Sequence, residues 1–222
     1  MHSRMYVATM PYILRTFLPS SVTWEIETAE KEIFLTFDDG PIPEVTPLIL
    51  KTLDEYDAKA TFFFVGDNVR KHPEEFRMVA EKGHALGNHT FNHLRGWTTS
   101  FPRYHENVNK CHDLVPSPLF RPPHGQITPL MARMLYQNYR VVMWSVLSMD
   151  FDKRVSPYKC LQHSIANTHN GSIIVFHDSI KARPRMEYVL PRYLEHFSKL
   201  GYKFKALNGQ LKYPLPHDQE PA

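Results

Sequence analysis

Ile33-Phe-Leu-Thr-Phe-Asp-Asp-Gly-Pro41 decides the reading of this chain. Its first five residues, Ile33 to Phe37, form an apolar run that reads as a strand. The run ends on two adjacent carboxylates, Asp38 and Asp39, where it meets a Gly-Pro turn. About fifty residues further on, His89-Thr-Phe-Asn-His93 supplies two imidazoles four residues apart. These lie on one face if the backbone there is helical or tightly turned. One carboxylate and two histidines make a three-ligand set with an open position, the arrangement with which catalytic zinc activates water. The second carboxylate is then free to act as a base. That pattern reads as a metal-assisted hydrolase.

Outward from this segment, apolar runs alternate with helix-period stretches. Strands are expected at 32–37, 60–65, 85–88, 119–121, 141–146, 172–176 and 202–207. The run Ala60-Thr-Phe-Phe-Phe-Val65 is continuous enough to be buried on both faces. Helices are expected at 46–56, with Leu48, Ile49, Leu50 and Leu53 inward, and at 73–82, 104–114, 128–138, 156–167 and 187–200. Pro73, Thr128-Pro129 and Ser156-Pro157 suit helix starts, and Gly83 suits a C-cap. Alternation of this kind implies parallel βαβ units, either as an irregular (β/α) barrel of seven to eight units or as an open doubly wound sheet. The motifs fall at the C-terminal ends of the predicted strands, where barrel active sites are built.

Composition narrows the function classes. A chain of 222 residues with 42% hydrophobic and 22% charged residues is an ordinary globular domain. A net charge of +3, with no Lys/Arg run, gives no reason to expect nucleic-acid binding. Lys181, Arg183, Arg185 and Arg192 read as a solvated helix face rather than an anionic-substrate patch. Cys111 and Cys160 do not make a disulfide scaffold and are expected to be reduced, partly buried thiols. No apolar stretch reaches membrane-spanning length and no cleavage site follows residues 5–14, so cytoplasmic action without membrane insertion is expected. Residues 1–30 are expected to form a packing arm across the barrel bottom, 31–212 the domain, and 213–222 a frayed tail.

The order of motifs resembles the polysaccharide deacetylase family, also called the NodB-homology domain or carbohydrate esterase family four. Thr36-Phe-Asp-Asp-Gly-Pro41 and His89-Thr-Phe-Asn-His93 match its first two motifs in full. Phe120-Arg-Pro-Pro-His-Gly125, Trp144-Ser-Val-Leu-Ser-Met-Asp-Phe151 and Ile173-Ile-Val-Phe-His-Asp178 match the third, fourth and fifth, in family order, over roughly residues 31 to 208. The resemblance implies an irregular barrel and an N-deacetylase acting on an acetylated amino-sugar oligo- or polysaccharide. It implies one divalent metal, zinc or alternatively cobalt, on Asp39, His89 and His93. Asp38 would be the base, with Arg121 as its fixed cation. His177 would be the acid, its proton held by Asp150. The backbone N–H of His124 would bind the oxyanion, whatever the side chain at that position.

Three positions depart from the family pattern. Leu147 stands where the fourth motif usually begins with Asp, Phe151 where it ends with Trp, and His124 where the third has Tyr or Phe. Phe151 can still line an apolar wall for the acetyl methyl or a sugar face. The competing readings are an O-acetyl esterase on acetylated polysaccharide, an Fe(II) oxygenase with a facial triad, and a non-catalytic sugar-binding protein. The oxygenase needs neither the second Asp, nor the Arg, nor the acid histidine.

Overall fold

The computed structural model describes residues 18–207. The expectations for the first part of the arm and for the tail at 213–222 lie outside the described residues. At the centre is strand β1 (Glu32–Asp38), buried over its last six residues. It pairs in parallel with β2 (Thr61–Phe64) and with β7 (Ile173–His177), while β8 (Lys203–Lys205) lies against its first residues. The sheet continues from β2 through β3 (Ala85–Asn88) and β4 (Leu119–Phe120) to β5 (Arg140–Val141), and from β7 to β6 (Val146–Leu147). Every ladder is parallel.

Strand alternation sorts the side chains into two cores. Ile33, Leu35 and Phe37 join Phe62, Phe64, Ile174 and Phe176 in a layer that packs against the helices. Phe34, Phe63, Phe120, Ile173 and Val175 belong to the second cluster. Because side chains repeat with period two, Thr36 and Asp38 share the face of Phe34, and His177 shares that of Val175. A polar Thr in the middle of an apolar strand was the local sign that this face changes character towards its C-terminal end. Burying each phenylalanine contributes roughly 1.5–3 kcal/mol, so the apolar layer holds the register on which the polar face depends.

The helices are α1 (Thr46–Glu55), α2 (Gly66–Lys71), α3 (Pro73–Glu81), α4 (Phe101–His112), α5 (Pro129–Leu135), α6 (Pro157–Asn167) and α7 (Arg183–Lys199). Their starts follow expected chemistry: Thr128 accepts from Met131 N and Ser156 from Lys159 N. Three details differ from expectation. Leu48 is 37% exposed, because Ile49, Leu50 and Leu53 already fill the inward face of α1. The short helix α2 had no apolar period from which to be read. Helix α7 begins at Arg183, and Arg185 lies buried on its inner face instead of in solvent.

The predicted strand at 141–146 is one chain segment divided between two partners. Val142 N donates to Phe120 O on its β4 side, whereas Ser145 N donates to Ile173 O on its β7 side. The segment therefore joins the two ends of the sheet and curls it into an irregular barrel with no ladder between β5 and β6. The described part of the N-terminal arm lies along this seam: Thr23 N donates to Val141 O, Met143 N to Thr23 O, and Ile26 N to Gly171 O. Cys111 and Cys160 are free and fully buried, and burial pushes the Cys111 thiol up to about 12. Among the described residues no helix is long and apolar enough to cross a membrane.

Candidate active site

The inward face of β1 ends on Asp38, 4% exposed, whose Oδ1 accepts from Arg121 Nη1 at 2.8 Å. Arg121 follows β4 and is fully buried, so its charge must be satisfied locally. It donates to Thr36 Oγ1 at 2.7 Å, Met143 O at 2.8 Å and Val142 O at 3.2 Å. Its guanidinium also stacks over Phe63, 4.2 Å from the ring centroid. The Thr36 hydroxyl in turn donates to Ile174 O at 2.7 Å. The cation is held from four directions, and the carboxylate it faces cannot drift.

Asp39 turns the other way. Its φ of 82° lies in the left-handed region, which directs its side chain away from that of Asp38 and towards the loop after β3. Its Oδ1 lies 3.2 Å from His93 Nε2 and 3.8 Å from His89 Nε2. The ligand atoms of the three residues all fall within 4.8 Å of one another. His89 Nδ1 is committed to the carbonyl of Arg121 at 2.8 Å, which leaves Nε2 for an ion, the arrangement usual for a metal-binding histidine. Burial pushes His89 down to about 4, so it is neutral at pH 7, as a ligand must be. Burial works against the charge of Asp39, but the hydrogen bond to His93 and the fields of His177 and His89 hold it well below the usual carboxylate range. Donor type, convergence and ionisation all fit a divalent cation.

The four-residue spacing of the histidines is delivered by an irregular turn, not a helix. Thr90 and His93 have φ of 64° and 54°. Buried Asn88 accepts from Thr90 N at 2.9 Å and donates to Val108 O at 2.9 Å, pinning the turn at its start.

On β7, His177 is the register partner of Asp38. Neighbouring strands are about 4.8 Å apart, so the two groups meet on one face. Asp150 grips His177 twice, its Oδ2 accepting from the backbone N at 2.7 Å and its Oδ1 lying 2.7 Å from Nδ1. Burial pulls the imidazole down, but the adjacent Asp150 carboxylate outweighs it, with help from Asp39 and Asp38, and the net value is about 9. Arg185 donates through Nε to the carbonyl of Asp150 and through Nη2 to Lys181 O at 2.7 Å. Nothing marked Arg185 in the motifs. Its place on the same helical face as Met186, Val189 and Tyr193 was the available signal.

Asp38, Asp39, His89, His93 and His177 line one cleft of about 520 Å³, together with Arg95, His124, Gln126, Trp144, Leu147, Phe151 and Lys181, while Arg121 and Asp150 are fully buried behind them. The Phe151 ring stands edge-on to His177, with centroids 5.0 Å apart. His124 is left-handed at φ 59°, and its ring meets that of His93 at 4.5 Å. Desolvation, then the charges of His93 and Arg95, push it down to about 4. Of the other histidines, His84 is buried away from the cleft, its Nδ1 accepting from Ala60 N at 3.2 Å.

Behind the Asp-Asp turn, Asp178 is fully buried with Oδ2 accepting from Thr46 Oγ1 at 2.6 Å, while Thr46 accepts from Ile42 N at 2.8 Å. A Cβ on Gly40 would stand 2.2 Å from Asp178 Oδ2. Gly40→Ala is accordingly expected to displace the turn, cost about 1–3 kcal/mol of stability and lower activity more than tenfold. Thermal unfolding and acetate release measure the two effects, and a native-like Ala variant would show that the turn has slack.

The polysaccharide deacetylase family model matches residues 25–142. A peptidoglycan-N-acetylglucosamine deacetylase of Bacillus cereus is 34% identical over 200 residues, covering 86% of this chain and 93% of the relative. A chitooligosaccharide deacetylase of Azorhizobium caulinodans is 33% identical over 158 residues, covering 67% and 74%. A crystal structure of a peptidoglycan N-acetylglucosamine deacetylase superposes with a TM-score of 0.84 at 26% identity, covering 93% of this chain and 99% of that one. The family model covers more than half of a chain whose paired aspartates, paired histidines and strand-end histidine share one cleft, and the chain belongs to the polysaccharide deacetylase family.

Proposed function

We propose that this chain is a metal-dependent hydrolase that removes acetyl groups from N-acetylated amino sugars in an oligo- or polysaccharide. The observation that carries the reading is the strand register that sets Asp38 beside His177. Each has its own partner of opposite charge, Arg121 for Asp38 and Asp150 for His177. A carboxylate paired with a cation and an imidazole paired with a carboxylate can supply a base and an acid side by side. The relatives that bear the names of peptidoglycan and chitooligosaccharide deacetylases support the same chemistry.

Asp39, His89 and His93 would hold the ion, zinc by the character of this donor set, with cobalt as a substitute. When bound, the ion polarises the amide carbonyl and lowers the pKa of water. Arg121 occupies Oδ1 of Asp38, and Oδ2 takes the proton of the attacking water. The water oxygen bonds to the carbonyl carbon, and the backbone N–H of His124 donates to the oxyanion. Asp150 occupies Nδ1 of His177, so Nε2 faces the leaving nitrogen and protonates it as the C–N bond breaks. The products are acetate and a free amino sugar. Phe151 forms an apolar wall beside His177.

Acetate release from N-acetylglucosamine oligomers and from acetylxylan, with zinc and cobalt supplied in turn, tests the reading. Release from the amide substrate with either ion is expected. Release from acetylxylan alone would move the assignment to an O-acetyl esterase.

The His177–Asp150 pair makes a separate prediction. A protonated His177 is the active form, so activity is expected to fall as pH rises through about 9. Asp150→Asn removes the charge that raises this value, so the basic limb should move to lower pH and the loss should grow as pH rises. An activated ester, whose leaving group needs little protonation, should suffer much less than the amide. The same linkage acts on stability. A histidine raised from 6.5 to about 9 stabilises the fold fully below pH 6.5, and that contribution is lost as pH rises towards 9. A basic limb unmoved by Asp150→Asn would assign this carboxylate to structure alone.

A further inference from the structure

We infer that the side chain of His124 is a positioning group for the metal site, its ring holding the His93 imidazole in the orientation that faces Asp39. This deepens the metal-dependent reading above and rests on it. The two ligand histidines are secured in different ways. His89 is buried, and the carbonyl of Arg121 fixes its ring through Nδ1 at 2.8 Å. His93 is 32% exposed, with Nε2 lying 3.2 Å from Asp39 Oδ1. A metal-binding histidine is normally oriented by an acceptor for its second ring nitrogen. Among the described residues no group fills that place for His93 Nδ1. Its ring is met instead by two other rings, His89 with centroids 5.1 Å apart and His124 at 4.5 Å. His124 is the nearer, and its interplanar angle of 64° is the edge-on arrangement that aromatic pairs favour.

The turn that presents His124 has little freedom of its own. Gly125 N donates to Pro122 O and Gln126 N to Pro123 O, both at 3.0 Å. His124 and Gly125 are both left-handed, at φ 59° and 66°, and histidine is one of the few side-chain-bearing types enriched in that region. The turn is also pressed against Trp144, since a Cβ on Gly125 would stand 2.7 Å from its Cη2. The His124 ring therefore projects into the cleft from a fixed base. Its nitrogens are not part of the convergent set, which comes from Asp39, His89 and His93. What His93 meets is the ring itself. Without that ring all three ligands remain, but His93 gains rotamer freedom that metal binding must remove again.

The test follows the partition of zinc between zinc-loaded protein and a chromophoric chelator, for native, His124→Ala and His124→Phe protein. His124→Ala is expected to raise the zinc Kd roughly three- to tenfold, the scale of one aromatic pair. His124→Phe keeps a ring and removes both nitrogens, so its Kd should stay within about twofold of native. The zinc concentration that gives half-maximal acetate release should shift by the same factor in each variant. His124 is exposed, so the metal-free proteins should melt alike, which separates ligand positioning from loss of fold. An Ala variant that binds zinc as tightly as native overturns the inference. So does a Phe variant as weak as Ala, which would assign the effect to the imidazole nitrogens, or an affinity that falls only in step with the melting temperature. Each of these leaves the deacetylase reading intact. Native protein that holds no zinc and releases acetate without any ion overturns the metal-dependent reading and the inference with it.

Discussion

Asp38→Asn is expected to keep the metal ligands intact and to lose roughly 10²–10⁴-fold in deacetylation rate, the contribution typical of a general base. The two aspartates are held apart. Asp38 points into the barrel and is tied to Arg121, whereas left-handed Asp39 points to the histidines. Asparagine keeps an oxygen for Arg121 but cannot take a proton from water. It also removes the counter-charge of a fully buried guanidinium, so a loss of stability on the order of 3–5 kcal/mol accompanies the kinetic loss. Metal content measured beside the rate separates the two effects. A variant that retains one ion per chain and more than a tenth of the native rate would show that the roles of the two aspartates are exchanged.

His89→Ala or His93→Ala is expected to empty the metal site and reduce activity to background together. Each removes one of three converging ligand atoms, leaving too few donors to hold the ion. Chelation of the native protein should have the same outcome, with recovery on adding zinc or cobalt. The two histidines differ in what else they support. His89 is 2% exposed and tied to the carbonyl of Arg121, while His93 lies partly open. His89→Ala should therefore also lower the melting temperature, and His93→Ala should do so much less. Full turnover by demonstrably metal-free protein would sink the mechanism.

The reach of the bare sequence can be judged from these same residues. Strand β1 was legible because an apolar run interrupted only by Thr36 reads as extended chain with period-two faces, and Asp38 and Asp39 were legible as its end. The strand at 141–146 was legible as extended chain but not as two half-strands, because its division depends on which neighbours, β4 and β7, stand on either side. The pairing of Asp38 with Arg121 joins residues 83 positions apart, and no local periodicity encodes it. Charge alone suggests a solvated Arg185, whereas its helical face and its bonds to the carbonyls of Asp150 and Lys181 hold it inward.

Which residue types occur, at which spacings, and at the end of which apolar run is written in the chain, because those patterns follow from local backbone geometry. Which aspartate meets the arginine and which meets the histidines, and that His177 stands beside Asp38, were decided only when packing of the phenylalanine layer set the strand register. Register is a property of the whole sheet, since moving any strand by one residue would turn its inward face outward.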